Sequence, residues 1–504
     1  MNKKIIPGIV LGLGALTLPS WMQKDEVEPD KPNLIFIFTD QQSFDMMGSY
    51  GNEQIITPNL DRFASQGVQF NHAVVNCPVC TPARGTLLSG MHPLYNGAIH
   101  NDIQMLAGNG NLFGEVLRDA GYRTGYYGKW HLYGGDRVRP IPEGPYRYGF
   151  DHEFLSNNCT LLFDSIRSYF WNENNEKELY GEWEWNAQTK QALEFIDNHA
   201  GKPMALFLSW HAPHDWSAGG VREHKYSAPV AFEKLYDPNE IILRENVEET
   251  PLRRRYYQGH MAMITSLDED FGKILTKLEE RGIADNSLII FTSDHGDMLE
   301  SHNWPFNKGR PEIESIKVPL IMKWAGVLKP RQSELLFGWL DLMPTILGLM
   351  GLPVPETTQG INLAEPILKQ QDDAVKSVPL FYFAGDWRGV YTHDYTYAFS
   401  LPSGAAEPHA INRGFPNYNV LYDHNNDRYQ LNNLFDAPDY RELQRKLHNM
   451  SLHWMEHFND QGVPFRELFA RAAVDEDHEN YWRPHAEKED NWDMRLKGRP
   501  IDFQ

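Results

Sequence analysis

Four short runs of this chain each end in side chains that can do chemistry, and that conjunction restricts the fold more than any other feature. Leu34-Ile35-Phe36-Ile37-Phe38 leads into Thr39-Asp40-Gln41, and Ala205-Leu206-Phe207-Leu208 into Ser209-Trp210-His211. Gly125-Tyr126-Tyr127-Gly128 leads into Lys129-Trp130-His131, and Ser287-Leu288-Ile289-Ile290-Phe291 into Thr292-Ser293-Asp294-His295-Gly296. Apolar runs separated by amphipathic stretches predict an α/β protein with a large mixed, mostly parallel sheet sandwiched by helices. Val318 to Met322 reads as a further strand, and helices are expected over Leu60 to Gln66, Phe113 to Ala120 and Arg253 to Arg281. In the last, Met261, Ile264, Leu267, Phe271 and Leu275 recur at helical spacing and read as core. Ligands of open α/β sheets bind beyond the carboxyl ends of strands. Residues as distant as Asp40 and His295 are therefore expected on one rim.

A chain of 504 residues has room for a large domain and a smaller one. Residues 30–370 are expected to form the first, and 378–504 a C-terminal subdomain, with a polar stretch around Gln370-Gln371-Asp372-Asp373 between them. The subdomain is predicted to hold short aromatic strands (Leu380 to Phe383, Gly389 to Tyr391, Tyr395 to Phe399, Asn419 to Asp423) and a helix around Tyr440 to Phe458. Residues 1–22 read as a signal peptide, with Asn2-Lys3-Lys4 before an apolar run from Ile5 to about Leu18 that is short for a bilayer span. The expected product is exported, periplasmic or secreted, without stable membrane insertion after cleavage. Three cysteines do not make a disulfide scaffold. Sixty-eight acidic residues against 47 basic, a net charge of -21 and the lack of any basic tract disfavour nucleic acid as a partner. An acidic enzyme acting on an anionic substrate must concentrate its positive charge locally.

Asp40 and Asp294 each close a strand, and two carboxylates on one rim either repel or share a cation. Carboxylate and amide oxygens suit Ca²⁺ or Mg²⁺. Lys129 and His131 alternate along an extended segment, so both side chains can enter one pocket. Cys80-Thr81-Pro82-Ala83-Arg84 sets out C-x-P-x-R with Gly85 next. Pro82 suits a helix start, which puts Cys80 at the positive end of the helix dipole, and Arg84 offers a planar fork one turn on. Cys77-Pro78-Val79-Cys80 is also a C-x-x-C, the spacing of a redox pair or half a zinc site, but no second C-x-x-C follows and Cys159 is the only other cysteine.

The C-x-P-x-R segment resembles the signature of the type I, formylglycine-dependent sulfatases of the alkaline phosphatase superfamily. The resemblance covers roughly residues 32 to 460 in family order, including Asp40, Gly128-Lys129-Trp130-His131, His211-Ala212-Pro213-His214, Asp294-His295 and Lys308. It implies an alkaline phosphatase-like fold with a small antiparallel sheet-plus-helix subdomain. It also implies that a maturation enzyme oxidises Cys80 to formylglycine, whose hydrate attacks sulfur with one oxygen and expels sulfate through the second. One divalent cation, Ca²⁺ ahead of Mg²⁺, would be held by Asp40, Gln41, Asp294, His295 and the residue made from Cys80. Gln41 stands where the family often has a second aspartate, which removes one negative charge. Arg84, Lys129 and Lys308 would hold hydrate or sulfate oxygens, His131 would orient the diol and accept a proton as sulfate leaves, and His211 would protonate the leaving alcohol. His214 is either structural or in contact with substrate. Arg388, in Trp387-Arg388-Gly389, and the aromatic stretch from Trp171 to Trp185 either line a saccharide site or belong to core and loops. The expected activity is hydrolysis of sulfate monoesters on carbohydrate, of glycosaminoglycan or mucin type. The alternatives are a phosphonate or phosphodiester hydrolase of the same superfamily and a non-catalytic sulfoglycan-binding protein.

Overall fold

The computed structural model describes residues 31–106, 108–135, 137–216, 225–304, 306–401 and 418–472. The expected signal peptide and the segment beyond 472 lie outside the described residues. Ten strands form one sheet: β1 (Asn33–Thr39), β2 (Val68–Val74), β3 (Arg123–Lys129), β4 (Glu153–Asn157), β5 (Tyr169–Trp171), β6 (Lys177–Leu179), β7 (Met204–Ser209), β8 (Ser287–Ser293), β9 (Leu320–Lys323) and β10 (Arg331–Gly338). Their order is β10-β2-β9-β8-β1-β7-β3-β4-β5-β6. β8, β1, β7, β3 and β4 run parallel, with Leu34 opposite both Ala205 and Leu288.

β1 is buried along its whole length, as a parallel strand covered on both faces must be. Its alternate side chains enter two cores. Leu34, Phe36 and Phe38 pack on one face, Ile35 and Ile37 on the other, where they meet the helix Pro251–Glu280. That helix carries the expected stripe from Met261 to Leu275 inward, and the Thr250 side chain caps it by accepting from the Arg253 N–H at 3.2 Å.

The strand expected over Val318 to Met322 is shifted to Leu320–Lys323 and runs antiparallel to both β8 and β2. The segment that returns from β8 holds only short helical turns, Ser301–Asn303 and Ile313–Ile316, in place of the covering helix usual in a parallel β-α-β unit. β5 and β6 are also antiparallel additions, at the opposite edge.

After the helix Ala364–Lys369 comes a second sheet, the meander β11 (Val378–Tyr382), β12 (Trp387–Tyr391), β13 (Tyr395–Ser400) and β14 (Val420–Asp423), covered by the helix Arg441–His457. Among the described residues, no helix is long and apolar enough to cross a membrane.

Gly128 shows how tightly β3 is set against β7. Its φ is +102°, and a Cβ there would lie 2.1 Å from the Ser209 carbonyl oxygen. Gly128→Ala therefore both strains the backbone, at about 1–3 kcal/mol, and pushes β3 off β7. A lower denaturant midpoint together with loss of activity is expected, because the next residue is Lys129. An unchanged midpoint in urea unfolding would contradict this reading of the glycine.

Candidate active site

The parallel strands deliver Asp40 (after β1), Lys129 (end of β3), His211 and His214 (after β7) and Asp294 and His295 (after β8) to one rim. Cys80 is the first residue of the helix Cys80–Ser89, so the nucleophile position lies at the positive helix end, and Pro82 falls in the first turn, where N–H groups have no intrahelical partner. The Cys80 sulfur occupies the place of the oxygens that the oxidised residue would carry. Around it stand Lys308 Nζ at 2.9 Å, His295 Nε2 at 3.2 Å, Lys129 Nζ at 3.4 Å and Asp40 Oδ1 at 3.9 Å. Burial opposes ionisation of this thiol, yet Lys129, Lys308 and His295 hold it well below its ordinary value. The site is thus built to stabilise negative charge at that point.

Asp40 and Asp294 are both fully buried. Burial and Cys80 work against an ionised Asp40, but Lys129, His214 and Lys308 keep its carboxyl well below the usual range. Burial and the charge on Asp40 instead push Asp294 up. A divalent cation would relieve that conflict. Ligand atoms of Asp40, Cys80, Asp294 and His295 all lie within 4.8 Å of one another. His295 Nδ1 donates to the Gly296 carbonyl at 2.9 Å, which leaves Nε2 as a lone pair facing the cluster. Gln41 Oε1 is buried without a hydrogen-bond partner, and the Gln41 N–H reaches Asp294 Oδ1 at 3.2 Å. Two carboxylates, an orphaned amide oxygen and an imidazole nitrogen turned towards Cys80 and Lys308 fit an oxygen-preferring divalent cation, with the nitrogen the least usual member.

Several expectations change here. Arg84 does not reach out to a sulfate. Its Nε donates to Asp294 at 2.9 Å, Nη2 to Asp40 at 3.1 Å, and Nη1 to the Lys129 carbonyl and Ser209 Oγ, both at 2.7 Å. A buried guanidinium is held by the nearest carboxylates, so Arg84 orients the two acids. Lys129 likewise contacts Asp40 directly as well as the sulfur.

The two histidines after β7 have different surroundings. His211 is fully buried against Phe163, with ring centroids 4.8 Å apart, and lies 3.8 Å from Glu184; burial and Lys129 hold its proton affinity well below the ordinary value. That setting favours the neutral form of the ring. His214, two residues past the cis Ala212–Pro213 bond, instead places Nε2 3.0 Å from Lys308 Nζ and Nδ1 3.2 Å from Asp215 Oδ1. Glu184 is pushed up to about 8 by burial.

His131 is buried, with Nε2 on Asp102 Oδ1 at 3.0 Å. Burial opposes its charging, but neighbouring Cys159 and hydrogen-bonded Asp102 raise its proton affinity to about 10. The raised affinity favours the imidazolium, with Nε2 directed at Asp102.

Arg388 does not join the cluster. It is buried in the small sheet, paired with Asp460 and stacked 4.5 Å over Phe383. Trp185 is core, its Nε1 donating to Ser266 Oγ at 2.9 Å. Cys77 stands outside the cluster, and burial raises its thiol, which opposes a redox pairing with Cys80.

Asp102, Arg137 and Asp215 went unnoticed in the sequence. Arg137 grips Asp102 through two donors, each 2.6 Å from an oxygen, behind His131. Asp102 and Arg137 lie in loops without a strand-end signal, whereas Asp215 had one available in its adjacency to His214.

Fold and site together define a hydrolase of anionic esters. The chain belongs to the Sulfatase family, whose model matches residues 32–352, and a model of the N-sulphoglucosamine sulphohydrolase C-terminal region matches residues 301–456. It is a sulfuric ester hydrolase. An ulvan-active sulfatase of Formosa agariphila is 31% identical over 435 residues, covering 83% of this chain and 80% of that protein. An endo-4-O-sulfatase of Bacteroides thetaiotaomicron is 26% identical, covering 81% and 88% respectively. The crystal structure of yidJ from Bacteroides fragilis, 28% identical, superposes with a TM-score of 0.76 over 88% of this chain and 99% of its own.

Because the folded-state value for His131 lies above the ordinary 6.5, its ion pair stabilises the fold fully below about pH 6.5, and that contribution fades as the pH rises towards about 10. Asp102→Asn should lower the His131 value by about 1–3 pH units, followed by NMR of the ring protons. It should also flatten the loss of melting temperature between neutral and alkaline pH. An unmoved His131 titration would show that Asp102 does not set its charge.

Proposed function

We propose that this enzyme is an exported sulfatase that removes sulfate from carbohydrate, using formylglycine made from Cys80 and one divalent cation, Ca²⁺ ahead of Mg²⁺. The observation that carries this reading is the Cys80 sulfur at a helix N-terminus with Lys308, His295, Lys129 and Asp40 all within 3.9 Å. Two similar proteins bear carbohydrate names, the ulvan-active sulfatase and an N-acetylglucosamine-6-O-sulfatase of Bacteroides thetaiotaomicron. Export rests on the N-terminal basic and apolar pattern.

When formed, the formylglycine hydrate supplies one oxygen for attack on sulfur and a second whose return to the aldehyde expels sulfate. A bound divalent cation, held by Asp40, Asp294, His295 and the Gln41 amide oxygen, supplies Lewis-acid polarisation of the reacting oxygens. Arg84 keeps Asp40 and Asp294 in place for it. Lys129 and Lys308 present ammonium groups to the anionic ester, a preorganised field that favours the charge developing in the transition state. His131, charged through Asp102, donates a hydrogen bond to the nucleophile position and holds it in one orientation. His214, held at Nδ1 by Asp215, takes a proton at Nε2 from Lys308 and gives it to the departing alcohol oxygen. The pair takes up the proton that the second hydroxyl loses as the aldehyde re-forms and sulfate leaves.

Peptide mass spectrometry of active enzyme should find residue 80 lighter than cysteine by H₂S and heavier by one oxygen. Full activity with an unmodified thiol would sink the formylglycine reading.

The acid is tested by leaving group. A sugar alcohol needs a proton as its S–O bond breaks, whereas a nitrophenolate does not. His214→Ala should slow a sugar sulfate about 10²–10⁴-fold and leave nitrophenyl sulfate much less affected. Equal losses on both esters would remove His214 from that role.

A further inference from the structure

Gln41 occupies a position where an aspartate would bring a formal charge to the cation, and its surroundings explain how an uncharged amide serves there. An amide has two N–H donors on one branch and a carbonyl oxygen on the other. Both donors of Gln41 Nε2 are taken by carboxylates, Asp215 Oδ1 at 3.1 Å and Asp297 Oδ2 at 3.0 Å. With the nitrogen branch held on that side, the oxygen branch cannot exchange with it, and Oε1 is the buried atom left without a partner. Asp297 is itself fixed: it is fully buried, accepts from Tyr226 OH at 2.7 Å through Oδ2 and from the Leu299 N–H at 2.8 Å through Oδ1. Asp215 has a second task, since the same Oδ1 lies 3.2 Å from His214 Nδ1.

We infer that Asp297 and Asp215 are positioning residues for the cation. They clamp the Gln41 amide so that Oε1 is the ligand presented alongside Asp40, Asp294 and His295, and Asp215 ties that clamp to His214. The negative charge absent from position 41 is thereby placed one layer further out, where it polarises the amide and raises the electron density on its oxygen. The inference rests on the divalent-cation reading of the site. It has a counterintuitive consequence: Gln41→Asp, which adds a charge next to the cation, also sets a carboxylate with no proton to donate against Asp215 and Asp297.

The experiment is calorimetric titration of Ca²⁺, and separately Mg²⁺, into the metal-stripped mature enzyme and its variants, with the metal-free melting temperature as a check on folding. Asp297→Asn cannot satisfy Gln41, Tyr226 and the Leu299 N–H together, because one of its two side-chain heteroatoms is now a donor. It should weaken Ca²⁺ binding at least tenfold in a variant that still shows a cooperative, if lowered, metal-free melting transition. Gln41→Asp should also bind more weakly than wild type, and Gln41→Asp with Asp297→Asn should bind more tightly than Gln41→Asp alone. If Asp297→Asn does not fold, the more accessible Asp215→Asn replaces it. That variant should weaken Ca²⁺ binding and also lower kcat on a sugar sulfate more than on nitrophenyl sulfate. Tighter binding by Gln41→Asp in the wild-type background, or wild-type affinity in the folded Asp297→Asn or Asp215→Asn variant, overturns the inference alone. A wild-type mature enzyme that takes up neither cation overturns the metal reading and the inference with it.

Discussion

The pairing of Asp40 and Asp294 inside the protein is the constraint on which the site depends. Two buried carboxylates that close neighbouring strands cannot both be charged without compensation, and the fold supplies it through Arg84, whose guanidinium joins them at 3.1 and 2.9 Å. Removing one partner from a buried ion pair costs about 3–5 kcal/mol, because the other charge stays behind uncompensated. Arg84 extends from the same helix that begins at Cys80, so the ion network also sets the nucleophile against the two acids. Its remaining bonds, to the Lys129 carbonyl and Ser209 Oγ, tie in the ends of β3 and β7.

Around this pair the protein reverses its overall charge. With 68 acidic and 47 basic residues it repels anions as a whole, yet Lys129, Lys308, Arg84 and a charged His131 converge on one sulfur atom's surroundings. Each cation is held by geometry. Lys129 meets Asp40, His131 is braced by Asp102 and Arg137, and Lys308 stands between His214 and His295. Side chains fixed in this way do not reorganise as charge develops on a bound ester, which is the physical basis of electrostatic catalysis.

Much of this was legible in the residues alone, for local reasons. β1 is apolar on both faces because helices cover both, and Asp40 follows because the strand must end at a rim. The helix from Cys80 announces itself through Pro82, and the long helix from Pro251 through its stripe at helical spacing. The antiparallel setting of β9 was hidden, since strand direction depends on how the chain returns and not on strand composition. Arg388 reads the same in sequence whether it faces a ligand or an internal Asp460, a residue 72 positions away.

The sequence by itself therefore determined the sheet-and-helix alternation, the strand-end chemistry and the helix that opens on Cys80, because each is written in neighbouring residues. Only the tertiary structure decided which side chain of each segment faces the reacting atoms. It turned Arg84 inward, set His214 beside Lys308 and His211 against Phe163, braced His131 with Asp102, and locked the Gln41 amide between Asp215 and Asp297. Those choices come from burial and from charges that meet across distant segments, and no local pattern encodes them.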